Sequence, residues 1–218
     1  LQGLTTSEVN SLTSKELSGL STAQVNVLST DQLQAISVSA IGGLTSVTSL
    51  DATKIFALVT AQIAALGTGQ VGGMSTAQIA ALSTDQISKL TTAQIVSLTV
   101  SQIASIETGD ISSITTAQIA AMEMRDVAAF TTAQIQNLSS SQINSLTTGQ
   151  VRALTTAQLD ALTTEQAATL ATSTVSALSV AQLTSVATDD FAALSTDVLA
   201  ALTTTQIKAL TSAQIVAL

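Results

Sequence analysis

An eight-residue unit recurs along almost the whole chain and restricts the possible folds more than any other feature of the sequence. It is clearest at 90–97, Leu-Thr-Thr-Ala-Gln-Ile-Val-Ser. With its leading apolar residue as position one, the register starts at Leu4, slips in the six-residue stretch 44–49 and resumes at Leu50. The 218 residues thus hold 26 full octads and one short unit. This pattern predicts a single continuous repeat array over 1–218, with no second kind of domain.

Positions two and five of the octad carry the signals that begin a helix. Position two is Ser or Thr in 19 of the 26 octads, and position five is Gln or Glu in 19. A hydroxyl at the N-cap and a Gln or Glu three residues later form a capping box, in which each side chain bonds the other's backbone N–H. Predicted pairs of this kind are Thr91 with Gln94 and Thr115 with Gln118.

Positions one and six are apolar and are predicted to form the core. They correspond to the N′ and N4 positions of a helix start, which pack together as a hydrophobic staple. Position eight is nearly always Ala, Ser or Gly, so we expect a neighbouring backbone to approach closely there. The core residues predicted from this register are Leu90, Ile95, Leu98, Ile103, Ile119, Leu138 and Ile143.

The octad favours an all-α solenoid of very short capped helices, one per repeat. A single long helix advances about 100° per residue, so an eight-residue period would wind its apolar stripe around the rod. A β-solenoid is the alternative, since Thr and Ile favour strands. Against it, the apolar positions are separated by odd numbers of residues, whereas a strand face repeats every second residue. Because isolated helices of this length are unstable, stacking of coils must stabilise them.

Composition limits the function. The chain is 46% hydrophobic but only 9% charged and 1% aromatic, which suits a thin aliphatic core of identical layers. The net charge of −8, with scattered Lys and Arg, argues against nucleic-acid binding. Polar residues interrupt every octad, so we expect no membrane insertion. There is no Cys and no His.

Few residues are candidates for chemistry, and we predict no catalytic, cofactor or metal site. Glu8, Glu16, Asp51, Asp110 and Asp126 stand at cap or capping-box positions, where helix-end electrostatics account for them. The cluster of Asp189, Asp190 and Asp197 resembles a weak Ca²⁺ site, but it lacks an accompanying Gly-Asp loop.

The glycines and the aromatic residues also follow the register. Gly42-Gly43, Gly67-Thr68-Gly69 and Gly72-Gly73 lack the strand and the Lys-Ser/Thr of a phosphate loop, so close packing or a sharp bend is favoured. Two of the three Phe, Phe130 and Phe191, occupy core positions. Phe56 stands at position seven and is predicted to be exposed.

The nearly intact octads at 58–66, 74–82 and 114–122 resemble repeat arrays in very large secreted proteins of Gram-negative bacteria, described as adhesin-like or haemagglutinin-like. The resemblance covers nearly the whole chain. It implies an extracellular or cell-surface protein of bacterial origin. The Gly-Gly-x-Gly-x-Asp calcium repeats that such proteins often carry are absent, so calcium dependence does not follow.

Together these features predict a structural protein, a rod or filament built from stacked coils. The array is in phase from Leu4 to Leu218, which predicts either a piece of a longer array or subunits that self-associate end to end. The alternative is an adhesin segment whose Ser/Thr-rich face binds glycans or a cell surface. An enzyme is not expected, because no nucleophile, base and orienting group can be named.

Overall fold

Each repeat forms one short helix in the computed structural model, which describes residues 1–218. There are 24 α-helices and three 3-10 helices, one for each full octad and one for the short unit. No strand is present, so the all-α prediction is confirmed and the β-solenoid is excluded. None of these helices has the length and apolar character needed to cross a membrane.

The helices belong to two compact lobes. The N-terminal lobe is Leu1–Ser113 and the C-terminal lobe is Ile114–Leu218. The α-helices of the N-terminal lobe are Thr6–Asn10, Ser14–Ser18, Thr22–Asn26, Thr30–Ala35, Ala52–Ala57, Thr60–Ala65, Thr68–Gly72, Thr76–Ala80, Thr84–Lys89, Thr92–Val96 and Val100–Ser105. Those of the C-terminal lobe are Thr116–Ala121, Met124–Ala128, Thr132–Asn137, Ser140–Asn144, Thr148–Ala153, Thr156–Asp160, Thr164–Ala168, Thr172–Ala177, Val180–Thr184, Thr188–Ala192, Thr196–Ala200, Thr204–Ala209 and Ser212–Val216.

Within each lobe the helices wind into stacked coils. A helix packs beside the helix three octads later, as Thr60–Ala65 does with Thr84–Lys89 and Met124–Ala128 with Thr148–Ala153. Side-chain hydrogen bonds between coils span up to 31 residues, as from Gln94 to Ile63. One turn of the chain therefore takes between three and four octads, a value that the repeat length alone does not determine.

The core of each coil is aliphatic and lies where the register places it. Leu90, Ile95, Leu98, Ile103, Ile119, Leu138 and Ile143 are all buried, with exposed fractions of 3% or less. Phe130 and Phe191 are buried as well, whereas Phe56 is exposed. Burying apolar positions one and six against the neighbouring coil supplies the stability that a five- or six-residue helix lacks.

The three 3-10 helices lie in repeat units whose sequences depart from the consensus octad. Ile41–Gly43 follows Ala40, which stands where a capping Gln would be, and Thr45–Ser49 fills the short unit. Neither has a side-chain cap. Thr108–Ser113 follows Glu107, which replaces the capping hydroxyl. In a 3-10 helix i→i+3 bonds satisfy some of the free backbone groups. A missing capping box does not by itself produce such a helix, because Ala52–Ala57 and Thr172–Ala177 are α-helical without one.

Glycine permits close approach between coils at two of the predicted places. A Cβ on Gly43 would lie 2.1 Å from the Ser14 carbonyl oxygen, and one on Gly72 would lie 2.7 Å from the Ser97 carbonyl oxygen. No glycine has a positive φ, so the requirement is for space and not for an unusual backbone. Around Gly69, by contrast, a Cβ would meet nothing within 4 Å. Close approach is thus local and does not explain every glycine.

Candidate functional site: the glutamine rungs and the two end faces

Capping boxes begin most of the helices that have Ser or Thr at position two and Gln at position five, among them Thr92–Val96 and Thr116–Ala121. Thr91 Oγ1 accepts a hydrogen bond from the Gln94 backbone N–H at 3.2 Å, and Gln94 Oε1 accepts one from the Thr91 N–H at 2.7 Å. The same pair of bonds joins Thr115 and Gln118, at 3.2 and 2.6 Å. Two free N–H groups of the first turn are satisfied in each case, which is why a helix starts there.

The same glutamine also bonds to the preceding coil. Gln94 is 1% exposed, and its Nε2 donates to the carbonyl oxygens of Ile63 at 2.9 Å and Leu66 at 2.8 Å. Leu66 follows the end of a helix, where carbonyls lack an intrahelical donor. One buried amide therefore starts its own helix and satisfies the end of another. We call this pair of bonds from a position-five amide to the preceding coil a rung.

Rungs recur through both lobes. The glutamines that reach a position-six and a position-one carbonyl in this way are Gln62, Gln78, Gln86, Gln102, Gln150, Gln158, Gln166, Gln182, Gln206 and Gln214. In most rungs the two hydrogen bonds span 31 and 28 residues of the chain. Those of Gln62 span 29 and 26, because the short unit 44–49 lies between Gln62 and its two partners. The register slip therefore leaves the rung intact.

A signal for the rungs was present in the sequence. Of the 19 Gln or Glu residues at position five, 17 are Gln and only Glu8 and Glu16 are Glu. A capping box accepts either residue, because only a side-chain oxygen is needed. The excess of Gln indicates that the NH₂ group is needed as well, which the capping interpretation missed.

At two of the three octads with aspartate at position five, the bond between coils runs in the reverse direction. Asp110 Oδ1 accepts from the Thr84 hydroxyl at 2.5 Å, and Asp190 Oδ1 accepts from the Thr164 hydroxyl at 2.8 Å. Both threonines stand at position three of the preceding coil. Asp110 lies in the first turn of its helix, at the predicted capping-box position, and its carboxylate also bonds to the neighbouring coil.

The acidic cluster near Asp190 does not gather into a metal site. Asp190 is buried against the preceding coil, whereas Asp189 and Asp197 are exposed. No group of three or more acidic side chains lies close enough to hold a metal ion.

Asp126 is a position-five residue that lacks a complete set of partners. Its Oδ2 accepts from the Glu123 N–H at 3.1 Å, which is one of the two bonds of a capping box. Its Oδ1 is buried without a hydrogen-bond partner, and Arg125 Nε lies 3.5 Å away. Burial raises the pKa of Asp126, although the bond from Glu123 and the Arg125 charge oppose the shift.

Asn144 replaces both missing groups where an octad has neither a capping hydroxyl nor a glutamine. In the octad that starts at Leu170, position two is Ala171 and position five is Thr174. Asn144, in the preceding coil, accepts from the Ala171 N–H at 2.8 Å and from the Thr174 hydroxyl at 3.3 Å. Its Nδ2 donates to the Thr169 carbonyl at 2.8 Å. An amide from the other coil thus maintains the hydrogen bonding across this junction.

The rungs give every coil two different faces. Position five points to the preceding coil, so Glu8, Glu16 and Gln24 are exposed at the start of the N-terminal lobe, while Val9 is fully buried. We call the surface of Glu8, Glu16 and Gln24 the N-terminal face.

A coil face of the other kind ends the C-terminal lobe. There Gln206 and Gln214 are buried, whereas the position-six residues Ile207 and Ile215 are 51% and 56% exposed. The carbonyls of Leu202 and Leu210 stand where an interior coil would receive rungs. We call this surface of Ile207, Ile215 and the two carbonyls the C-terminal face.

The two glutamates of the N-terminal face are held as carboxylates. Glu8 Oε2 accepts from the Thr5 N–H at 2.8 Å and from the Thr5 hydroxyl at 2.9 Å. Glu16 Oε2 accepts the same two bonds from Thr13, both at 2.8 Å. These bonds, the backbone one most strongly, lower the pKa of both glutamates below the ordinary value of 4.5.

A shallow groove in the N-terminal lobe has a different character. Phe56, 59% exposed, lines it together with Ala81, Thr84, Glu107 and Asp110. An exposed ring beside carboxylates and a hydroxyl combines an apolar surface with hydrogen-bonding groups.

The match to a known family agrees with the rungs. The model of the ALTTAQ repeat matches residues 71–100, 103–139, 119–156, 145–172 and 185–218, together more than half of the chain. The chain belongs to the ALTTAQ repeat family. No curated protein matches it. The six letters of the family name occur in full at 153–158, and their glutamine is Gln158, which forms a rung. The ALTTAQ matches do not include 1–70, the stretch that contains Glu8, Glu16 and the short unit.

Proposed function

We propose that this ALTTAQ repeat chain is a structural protein, a segment of an extracellular or cell-surface rod. Stacked coils of one kind turn sequence length into physical length and stiffness. The extracellular and bacterial setting rests on the resemblance to arrays in large secreted adhesin-like proteins. No catalytic role is part of the proposal.

The observation that supports this proposal is the repeated glutamine rung. Each coil bonds to the next through the same buried amide and packs the same two apolar positions. In a repeat protein of this kind stability is nearly the sum of identical neighbour interactions, so the array tolerates a change in the number of repeats. A protein that acts as a spacer needs this tolerance of different repeat numbers.

Inserting repeats tests the proposal. Eight extra copies of the octad 90–97, placed after Ser97, should lengthen the particle by roughly 20 Å, since packed helices lie about 8–10 Å apart and one turn takes three to four octads. Small-angle X-ray scattering should show an unchanged cross-section. A particle that grows in width instead of length would contradict a spacer function.

End-to-end association through the C-terminal face belongs to the same proposal. Ile207 and Ile215 occupy positions that are buried elsewhere in the array, for example at Ile95. A further coil stacked on this face would bury both side chains. The occupant that we propose for it is argued below.

An adhesin segment is the second candidate, favoured by the groove at Phe56. An aromatic ring beside carboxylates suits a sugar, whose C–H face packs on the ring while its hydroxyls donate to oxygens. The exposed Ser/Thr rows, such as Thr84 and Thr92, could extend such a surface. Phe56→Ala should abolish glycan-array binding, while Val100→Ala, another exposed apolar position, should not. Absence of binding by the unmodified chain would eliminate this candidate.

A further inference from the structure

The two end faces carry different hydrogen-bonding groups, and this difference determines what each can stack on. At an interior junction the later coil supplies amide donors and the earlier coil supplies carbonyl acceptors. The C-terminal face offers the acceptor side, with the carbonyls of Leu202 and Leu210 and the exposed Ile207 and Ile215. Its natural partner is therefore a coil with glutamine at position five.

The N-terminal face of the same chain does not supply that partner. Its first two position-five residues are Glu8 and Glu16, whose carboxylates each accept two hydrogen bonds and carry no N–H to donate. Gln24 carries the one amide of this face. In an interior rung the Nε2 of Gln94 lies 2.9 and 2.8 Å from two carbonyl oxygens. A carboxylate oxygen at that place would face both oxygens without a proton between them, while losing its hydration.

We propose that the C-terminal face docks a repeat coil whose position-five residues are glutamine, and that Glu8 and Glu16 exclude the chain's own N-terminal face from this role. The inference rests on the proposed function of stacking. It makes the two faces unequal, because the C-terminal face accepts a further coil whereas the N-terminal face of another copy cannot dock on it.

Replacing the two glutamates tests the exclusion. In the double variant Glu8→Gln/Glu16→Gln all three position-five residues of the N-terminal face become donors. Copies should then stack head to tail, and the weight-average mass should rise with concentration above the 22.0 kDa of one chain. The unmodified chain should form no such open-ended series. Light scattering after size-exclusion chromatography measures both.

Two further variants identify the contact. Asp160→Asn/Glu165→Gln makes the same change in net charge at two exposed acidic residues outside position five, and it should behave like the unmodified chain. Adding Ile207→Asp to the double variant should abolish the association, because Ile207 lies in the C-terminal face and head-to-tail stacking would bury the new carboxylate. Circular dichroism melting checks that each variant is folded.

Mixing the chains sharpens the test. An unmodified copy can place its C-terminal face on the N-terminal face of the double variant, but its own N-terminal face cannot dock on another copy. It should therefore stop growth and shorten the assemblies seen by electron microscopy. A double variant that does not associate, or an unmodified chain that assembles in the same open-ended way, would overturn the inference. The insertion series above does not depend on Glu8 or Glu16, so the spacer function is tested separately.

Discussion

Glu8 and Gln94 stand at the same position of the repeat and begin their helices in the same way, yet their surroundings differ. Each accepts a bond from the N–H of its own cap residue, at 2.8 and 2.7 Å respectively. Glu8 is exposed, whereas Gln94 is 1% exposed and donates to the preceding coil. The comparison separates two roles of position five: capping is local and needs an oxygen, while the rung is tertiary and needs an amide.

The largest expected effect comes from the apolar side of the interior coil. Ile95→Asp should cost about 5 kcal/mol of unfolding free energy, because it buries an unpaired carboxylate at a fully buried position. Val96→Asp, at a half-buried neighbouring position, should cost less than about 1 kcal/mol. Urea unfolding of both variants measures the difference. Equal tolerance of Asp at the two positions would show that the register is misassigned.

Removing the amide distinguishes the two roles directly. Gln94→Ala should cost about 3 kcal/mol, because the buried Leu66 carbonyl loses its amide donor and the Ile63 carbonyl keeps only the Leu66 N–H. Gln24→Ala removes a capping bond only and should cost about 1 kcal/mol. Thermal or urea unfolding in one buffer measures the loss of unfolding free energy for the two variants. A larger loss for Gln24→Ala would leave the rung without an energetic role.

Helix starts and core positions could be predicted from the sequence because they depend on contacts within one octad. Thr91, Gln94 and Ile95 lie within five residues of one another, and any octad with those residues begins a helix in the same way. Apolar periodicity then identifies the buried side of the coil. The same reasoning explains why Phe56 was correctly expected to be exposed.

Contacts between coils could not be predicted in the same way. Gln94 reaches Ile63 over 31 residues, and an eight-residue period is compatible with any number of octads per turn. The replacement of a missing cap and rung by Asn144 depends on that number too, since Asn144 bonds to Ala171 in the next coil. The 3-10 helix Thr108–Ser113 was also missed, and Glu107 alone does not indicate it, because Glu123 at the same octad position precedes an α-helix.

Asp126 extends the comparison to an interior octad with an acid at position five. Asp126→Asn should raise the unfolding free energy at pH 7 by about 1–2 kcal/mol, since it removes a buried carboxylate oxygen without a partner. The raised pKa of Asp126 means that ionisation opposes folding as the pH rises through it. The gain should therefore shrink as the pH falls towards 3.8, the ordinary value. Urea unfolding from pH 4 to pH 7 would show this slope, and a gain independent of pH would contradict it.

The most direct test of the rung is one substitution made at two places. Gln94→Glu and Gln24→Glu change the charge equally and keep a capping oxygen, but only Gln94 donates to buried carbonyls. At pH 7, urea unfolding should show a loss of about 4 kcal/mol for Gln94→Glu and less than about 0.5 kcal/mol for Gln24→Glu. Equal losses at the two positions would mean that the glutamines only cap their own helices and that packing alone holds the coils together.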